Sequence, residues 1–230
     1  NMVYLLITLF IYFVPTLWVN YTLGKHDDEL PNMPFTGSEF GNQVLKEKEI
    51  TNVSILGDDK IGDHYDVINK KVGVKSERLN RKSLTSITVV CHEIGHAMQH
   101  HERYKPLEYR TKIIELVGLC GKILGGISLV AMPFFISTGG VAFLKLGATV
   151  LAAMIGIGLA IHVMTIGVEL DASFNRAMPI IRKKIPADYH NACRSILLAA
   201  ALTYVAGVAA NLLSMRFFWI FFSRFKLNVS

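Results

Sequence analysis

Two histidines four residues apart, His92 and His96, enclose a glutamate, Glu93, in the pentapeptide HEIGH. In an α-helix residues four apart stand on one face, so both imidazoles can offer a nitrogen to one tetrahedral zinc ion, with Glu93 beside the open coordination position. Zinc held this way acidifies a water and polarises a carbonyl, while a nearby glutamate takes the water's proton and passes it to a leaving amine. The spacing therefore predicts zinc-dependent hydrolysis with Glu93 as catalytic base. Gly95 points to a crowded helix face, because glycine in a helix interior costs about 1 kcal/mol relative to alanine. The apolar run ITVV just upstream predicts a buried helix, where two imidazoles and a carboxylate are expensive without a partner.

A third protein ligand is needed. His100 continues the four-residue spacing, but three groups along one straight helix face extend over about 12 Å and cannot converge. His100 and His101 are therefore read as surface or supporting residues. His162, inside a hydrophobic stretch, is either a ligand or a packed histidine, and His190 in a basic loop is read as solvated. Glu169 in VELDASFNRA is better placed, where the chain returns from two hydrophobic stretches, and could complete a His2Glu set. Asp171, two residues on, is suited to orient a ligand imidazole through its free N–H. The competing reading of Glu169 and Asp171 is an acid pair favoured by a helix N-terminus.

The elements that must hold these residues follow from periodicity and turn chemistry. Leu84, Ile87, Val90 and Ile94 form a helical stripe beginning near Ser83, and Thr36 or Ser38 can cap a helix through about Leu45. VSIL and KVGV, separated by the turn-rich GDDKIGD, read as short strands. Apolar stretches over roughly 2–22, 119–142, 147–167 and 195–222 are each near the ~20 residues that cross a bilayer as helix. The first lacks a basic leader and a small-residue cleavage site, so it reads as an anchor kinked at Pro15 rather than a signal peptide. With 51% hydrophobic and 18% charged residues, the composition agrees with a membrane protein.

The net charge of +6 is scattered among acids, which excludes a nucleic-acid surface and suits a solvated face beside anionic lipid headgroups. Basic residues crowd the motif's side in NKK, NRK and RKK, which predicts a cytoplasmic active site. Cys91, Cys120 and Cys193 are odd in number and widely spaced, so no disulfide framework is expected.

FTGSE followed by a helix, DHYD at Asp63 to Asp66, the helix into VCHEIGHAMQ, and VELDAS after a hydrophobic hairpin occur here in one order. In these pieces the chain resembles the YugP-like neutral zinc metallopeptidases, membrane proteases with the zincin HExxH motif. The resemblance implies one Zn2+ per chain held by His92, His96 and Glu169, with Glu93 catalytic and a protein or peptide as substrate. Two departures stand out. Ser173 occupies the position, four residues after the ligand glutamate, where thermolysin-like enzymes commonly carry an aspartate; Val67 follows DHYD where proline is expected. His64 and Tyr65 are candidates to stabilise the tetrahedral oxyanion, with Tyr104 and Tyr109 as competing donors.

The expected fold is mainly α: a multi-pass membrane protein with a small α+β zincin-like catalytic domain. It divides into an N-terminal transmembrane anchor (1–23), a catalytic region (24–118), a transmembrane hairpin (119–167), a third-ligand segment (168–194), and a C-terminal transmembrane helix with an interfacial tail (195–230). The expected function is that of a membrane-bound zinc metalloendopeptidase acting on membrane or membrane-associated proteins. The alternative is a non-catalytic zinc-containing structural or chaperone-like membrane protein, its metal closed off by a fourth protein ligand.

Overall fold

The structure, a computed structural model, describes residues 2–137 and 141–202. Helix α1 (Met2–Lys25) runs through Pro15 as one element. Its end is docked on the polypeptide that follows: Thr85 Oγ1 donates to Leu23 O at 2.7 Å, and Ser83 Oγ donates to Asp27 at 2.9 Å. Thr36 rather than Ser38 caps α2 (Gly37–Glu47), accepting from Glu39 N–H at 3.2 Å while the Glu39 carboxylate accepts from Thr36 N–H at 2.8 Å. This reciprocal box satisfies two otherwise orphaned backbone donors.

Three short strands follow, β1 (Ser54–Gly57), β2 (His64–Asp66) and β3 (Lys71–Val74), in the order β1-β3-β2. β1 runs parallel to β3 and β2 antiparallel to it, with His64 opposite Gly73 and Tyr65 opposite Val72. The expected VSIL and KVGV strands are β1 and β3. β2 is additional, and it lies within DHYD, where three polar residues display no alternation. Aspartates hold the turns on either side of it: Asp58 Oδ1, just after β1, accepts from Lys60 and Ile61 N–H, and Asp66 Oδ1 from Ile68 and Asn69 N–H.

After the one-turn helix α3 (Ser76–Leu79), α4 (Leu84–His101) starts at Ser83, whose hydroxyl accepts from Ser86 N–H. Every residue from Leu84 to Gln99 is buried, so α4 is the central post of the fold rather than an amphipathic surface helix. One face meets α2, where Gly41 lets Val90 and Ile94 approach. On another face Gly95 meets a different backbone, since a Cβ there would sit 2.6 Å from Ala172 O. The glycine anticipated from its helix cost is thus explained by a close main-chain crossing.

Helices α5 (Lys105–Ser137) and α6 (Val141–Leu170) pack together. α6 passes directly into a π-helical segment, Asp171–Ala177, and then α7 (Met178–Lys184). The wider π turn brings residues five apart onto one face, and Arg176 Nε accordingly donates to Asp171 Oδ2 at 2.7 Å. Residues 190–202 are helical and close the core with Cys193, Ile196 and Leu197.

The expected multi-pass membrane architecture requires correction: the chain is mostly helical with a small three-stranded sheet. Among the described residues one helical stretch, Gly156–Lys184, is long and apolar enough to cross a membrane. In α5 Lys105, Glu108, Arg110, Lys112 and Glu115 precede the predicted stretch 119–142, and Lys122 alone lies within it, where a charge is costly in a lipid core. Within Gly156–Lys184 itself, Ala172, Ser173, Ala177, Met178, Ile180 and Ile181 are buried in protein. Before them in the same stretch, Ile157 and Val163 are exposed. Of the predicted crossing at 195–222, the part after residue 202 lies outside the described residues. The cytoplasmic placement depended on counting crossings and falls with that count.

Candidate metal centre

The HEIGH spacing on α4 and the last turn of α6 meet at one point. His92 Nε2 and His96 Nε2 each lie 3.1 Å from the same oxygen, Glu169 Oε2, and the three potential ligand atoms fall within 4.8 Å of one another. Zinc bonds of about 2.0–2.1 Å in a tetrahedron would set neighbouring ligand atoms roughly 3.4 Å apart, close to this arrangement. All three side chains are buried, Glu169 to 1% exposure.

The contacts behind the rings decide what the converging atoms are. Gln99 Nε2 donates to Val168 O and to Asp171 Oδ2, both at 2.8 Å, so its two hydrogens are engaged and its oxygen faces His96 Nδ1 at 2.9 Å. An amide oxygen only accepts, so His96 carries its proton on Nδ1. Ser173 Oγ stands 3.0 Å from His92 Nδ1 and donates to Leu197 O at 3.4 Å, so it accepts the Nδ1 proton of His92. As neutral rings, both therefore present Nε2 lone pairs towards a carboxylate oxygen. Three acceptors facing one another in a buried space need a cation between them, and this donor set suits zinc. His92, His96 and Glu169 could hold such an ion.

The electrostatics of the neighbours agree. Burial alone would lower the basicity of His96, but the Glu169 carboxylate against its Nε2 and the charge of Glu93 outweigh burial and raise it. Glu93 is held above the usual carboxylate range by burial, with the His92 and His96 charges pulling partly the other way. It borders the same cavity as the three ligand candidates, a space of about 660 Å³. Val19 and Leu23 of α1, the β1–β2 loop with His64 and Tyr65, and Leu107 and Arg110 of α5 also border it.

The other residues singled out from the sequence fall in different places. Asp171 touches neither imidazole; it reaches His96 only through Gln99, and is itself held by Asn175 and Arg176. His64 Nδ1 donates to Gly62 O at 2.8 Å, which turns its Nε2 towards Asp58, 4.0 Å away. The Tyr65 hydroxyl, pushed up to about 12 by burial and by the Asp66 charge, hydrogen-bonds His100 Nδ1 at 2.9 Å. His100, read as a surface or supporting residue, supports Tyr65 at the edge of the cavity. Tyr104 lies beneath Arg176, and Tyr109 is mostly exposed. His162 sits two turns before Glu169, about 10 Å along the helix, and is outside the converging group.

Gln99, Ser173 and Arg110 were not anticipated. The first two were detectable in principle: Gln99 is three residues past His96, and Ser173 four past Glu169, spacings that share a helix face. Arg110 carried no sequence signal, since its Nη1 stands 3.8 Å from Glu169 Oε1 across a tertiary contact.

A family model described as "Putative neutral zinc metallopeptidase" matches residues 1–223. The chain is also 31% identical over 200 residues to "Putative membrane protease YugP" of Bacillus subtilis (strain 168), an alignment covering 81% of this chain and 80% of the relative. No solved structure matches. A match over nearly the whole length, agreeing with a buried His-His-Glu group that fits a metal, makes this chain a member of the neutral zinc metallopeptidase family.

Proposed function

We propose that this protein is a zinc-dependent endopeptidase in which His92, His96 and Glu169 hold the metal and Glu93 is the general base. The observation that supports it best is the convergence of three buried acceptors with both histidine tautomers fixed from behind, beside a carboxylate that opens on the same cavity. Bound zinc would supply Lewis acidity, polarising the scissile carbonyl and lowering the pKa of a water. Glu93 takes the proton of that water and carries it to the leaving amine, a role served by a carboxyl held above its ordinary range. Gln99 and Ser173 keep the imidazoles oriented through the cycle. Tyr65, protonated throughout the neutral range, is the candidate oxyanion donor once its hydroxyl turns from His100; His64 would serve only when doubly protonated.

In this reading residues 24–118 form the catalytic region and 168–194 the third-ligand segment, with 1–23 contributing a wall of the cavity through Val19. The substrates are membrane or membrane-associated proteins, a choice supported by the name of the Bacillus subtilis relative and by one helix apolar enough to cross a bilayer. The test is peptide hydrolysis by the purified full chain. Activity should vanish on chelation and return with about one zinc per chain; a chelated protein that keeps full activity would refute the reading.

A further inference from the structure

We propose that Arg176 is a positioning residue of the metal centre, holding the Asp171 carboxylate so that it fixes Gln99 and, through Gln99, the His96 imidazole. This inference rests on the reading of His92, His96 and Glu169 as metal ligands. Arg176 belongs to the π segment that begins two residues after Glu169. In an α-helix residues five apart stand about 140° round the axis from each other and cannot meet. The π turn aligns them, and Arg176 Nε donates to Asp171 Oδ2 at 2.7 Å. The same oxygen accepts from Gln99 Nε2 at 2.8 Å, and Gln99 Oε1 accepts from His96 Nδ1 at 2.9 Å. A continuous run of hydrogen bonds thus joins the guanidinium to a ligand ring.

The Asp171 side chain is 13% exposed, so its charge has lost most of its water and needs a cation as well as neutral donors. Gln99 and Asn175 supply amide hydrogens, to Oδ2 and Oδ1 respectively, and Arg176 supplies the charge. Arg176 is itself held in place. Its Nη1 donates at 2.7 Å to Oε2 of Glu102, the residue that ends α4, and its guanidinium carbon lies 5.4 Å from the centre of the Tyr104 ring. Tyr104 N–H in turn donates to Gln99 O at 2.8 Å, so the ring beneath the guanidinium is tied to the residue that the run passes through. The two ends of Arg176 differ in their surroundings: the Glu102 side chain is 53% exposed, whereas Asp171 is largely buried. A solvated ion pair contributes little. The Asp171 contact therefore carries the effect on the metal centre.

The test is a double-mutant cycle on zinc affinity, read by competition with a calibrated chelator on the purified full chain, with Tm recorded for every protein. Arg176→Gln should weaken zinc binding roughly three- to tenfold, less than the ten- to hundredfold of a residue that touches a ligand directly. Arg176→Lys, which keeps the charge and loses the planar fork, should keep part of that affinity. In a Gln99→Met background the run is already cut, so either substitution should change affinity by less than about twofold. Glu102→Gln should also stay within about twofold of wild type, whatever it does to Tm. Equal losses with and without Gln99 would make Arg176 a general support of the fold and overturn the proposal. So would a Glu102→Gln loss as large as that of Arg176→Gln, or unchanged affinity in both Arg176 variants. Should Arg176→Gln fail to fold, Arg176→Lys decides by the same comparison between backgrounds. A wild-type chain that takes up no zinc would overturn the ligand reading and this proposal together, whereas a zinc-binding chain with an additive cycle overturns this one alone.

Discussion

At His92 the informative contact is behind the ring, where Ser173 takes the Nδ1 proton and frees Nε2 for a metal. The sequence showed Ser173 as a missing aspartate; folded, the hydroxyl does the orienting directly, while Asp171 acts one step away through Gln99. Such partners typically set metal affinity within ten- to a hundredfold. Gln99→Met and Ser173→Ala should each weaken zinc binding by about that factor in competition with a calibrated chelator. Glu169→Ala should abolish retention, and His100→Ala should leave it intact. The pH dependence follows from His96, whose basicity is raised above the ordinary histidine range by the Glu169 carboxylate and the Glu93 charge. A proton and zinc compete for Nε2, so below that raised pKa affinity falls as pH falls, and above it the proton no longer interferes. Zinc titrations should show the decline setting in above the ordinary pKa of about 6.5; affinity flat from pH 8 to pH 6 would contradict it.

The helix carrying HEIGH was legible because its stripe, its Ser83 cap and its histidine spacing all obey one period, and the same holds for α2 and its Thr36 box. β2 was not, since a three-residue strand held by aspartate-capped turns has no periodicity to read. The π turn after Leu170 was equally hidden; its Asp171–Arg176 pair at a spacing of five is visible only once the fold is known. The contact between α4 and this π segment is the joint that brings Glu169 to the histidines. Gly95→Ala would gain about 1 kcal/mol of helix propensity, but its Cβ would meet the Ala172 backbone at 2.6 Å, and such overpacking costs about 1–3 kcal/mol. The clash should win, lowering Tm and zinc retention together. Gly118→Ala on α5, with nothing within 4 Å of its new Cβ, should raise Tm slightly and leave zinc unchanged.

Across the whole molecule, hydropathy proved a weaker guide than chemistry. A run of apolar residues reports what a segment avoids, not what covers it, so a helix buried against α4 and one buried in lipid read alike. Glu169 was singled out from a return over two crossings, a count the fold does not support, and its carboxylate nonetheless lies beside both histidines. The account is tested most directly by a paired measurement on purified Glu93→Gln and wild-type protein: zinc per chain, and hydrolysis of one peptide substrate. The prediction is about one zinc in each, with hydrolysis lowered by at least ~100-fold in the variant. A Glu93→Gln protein that keeps its zinc and cleaves at the wild-type rate would contradict it.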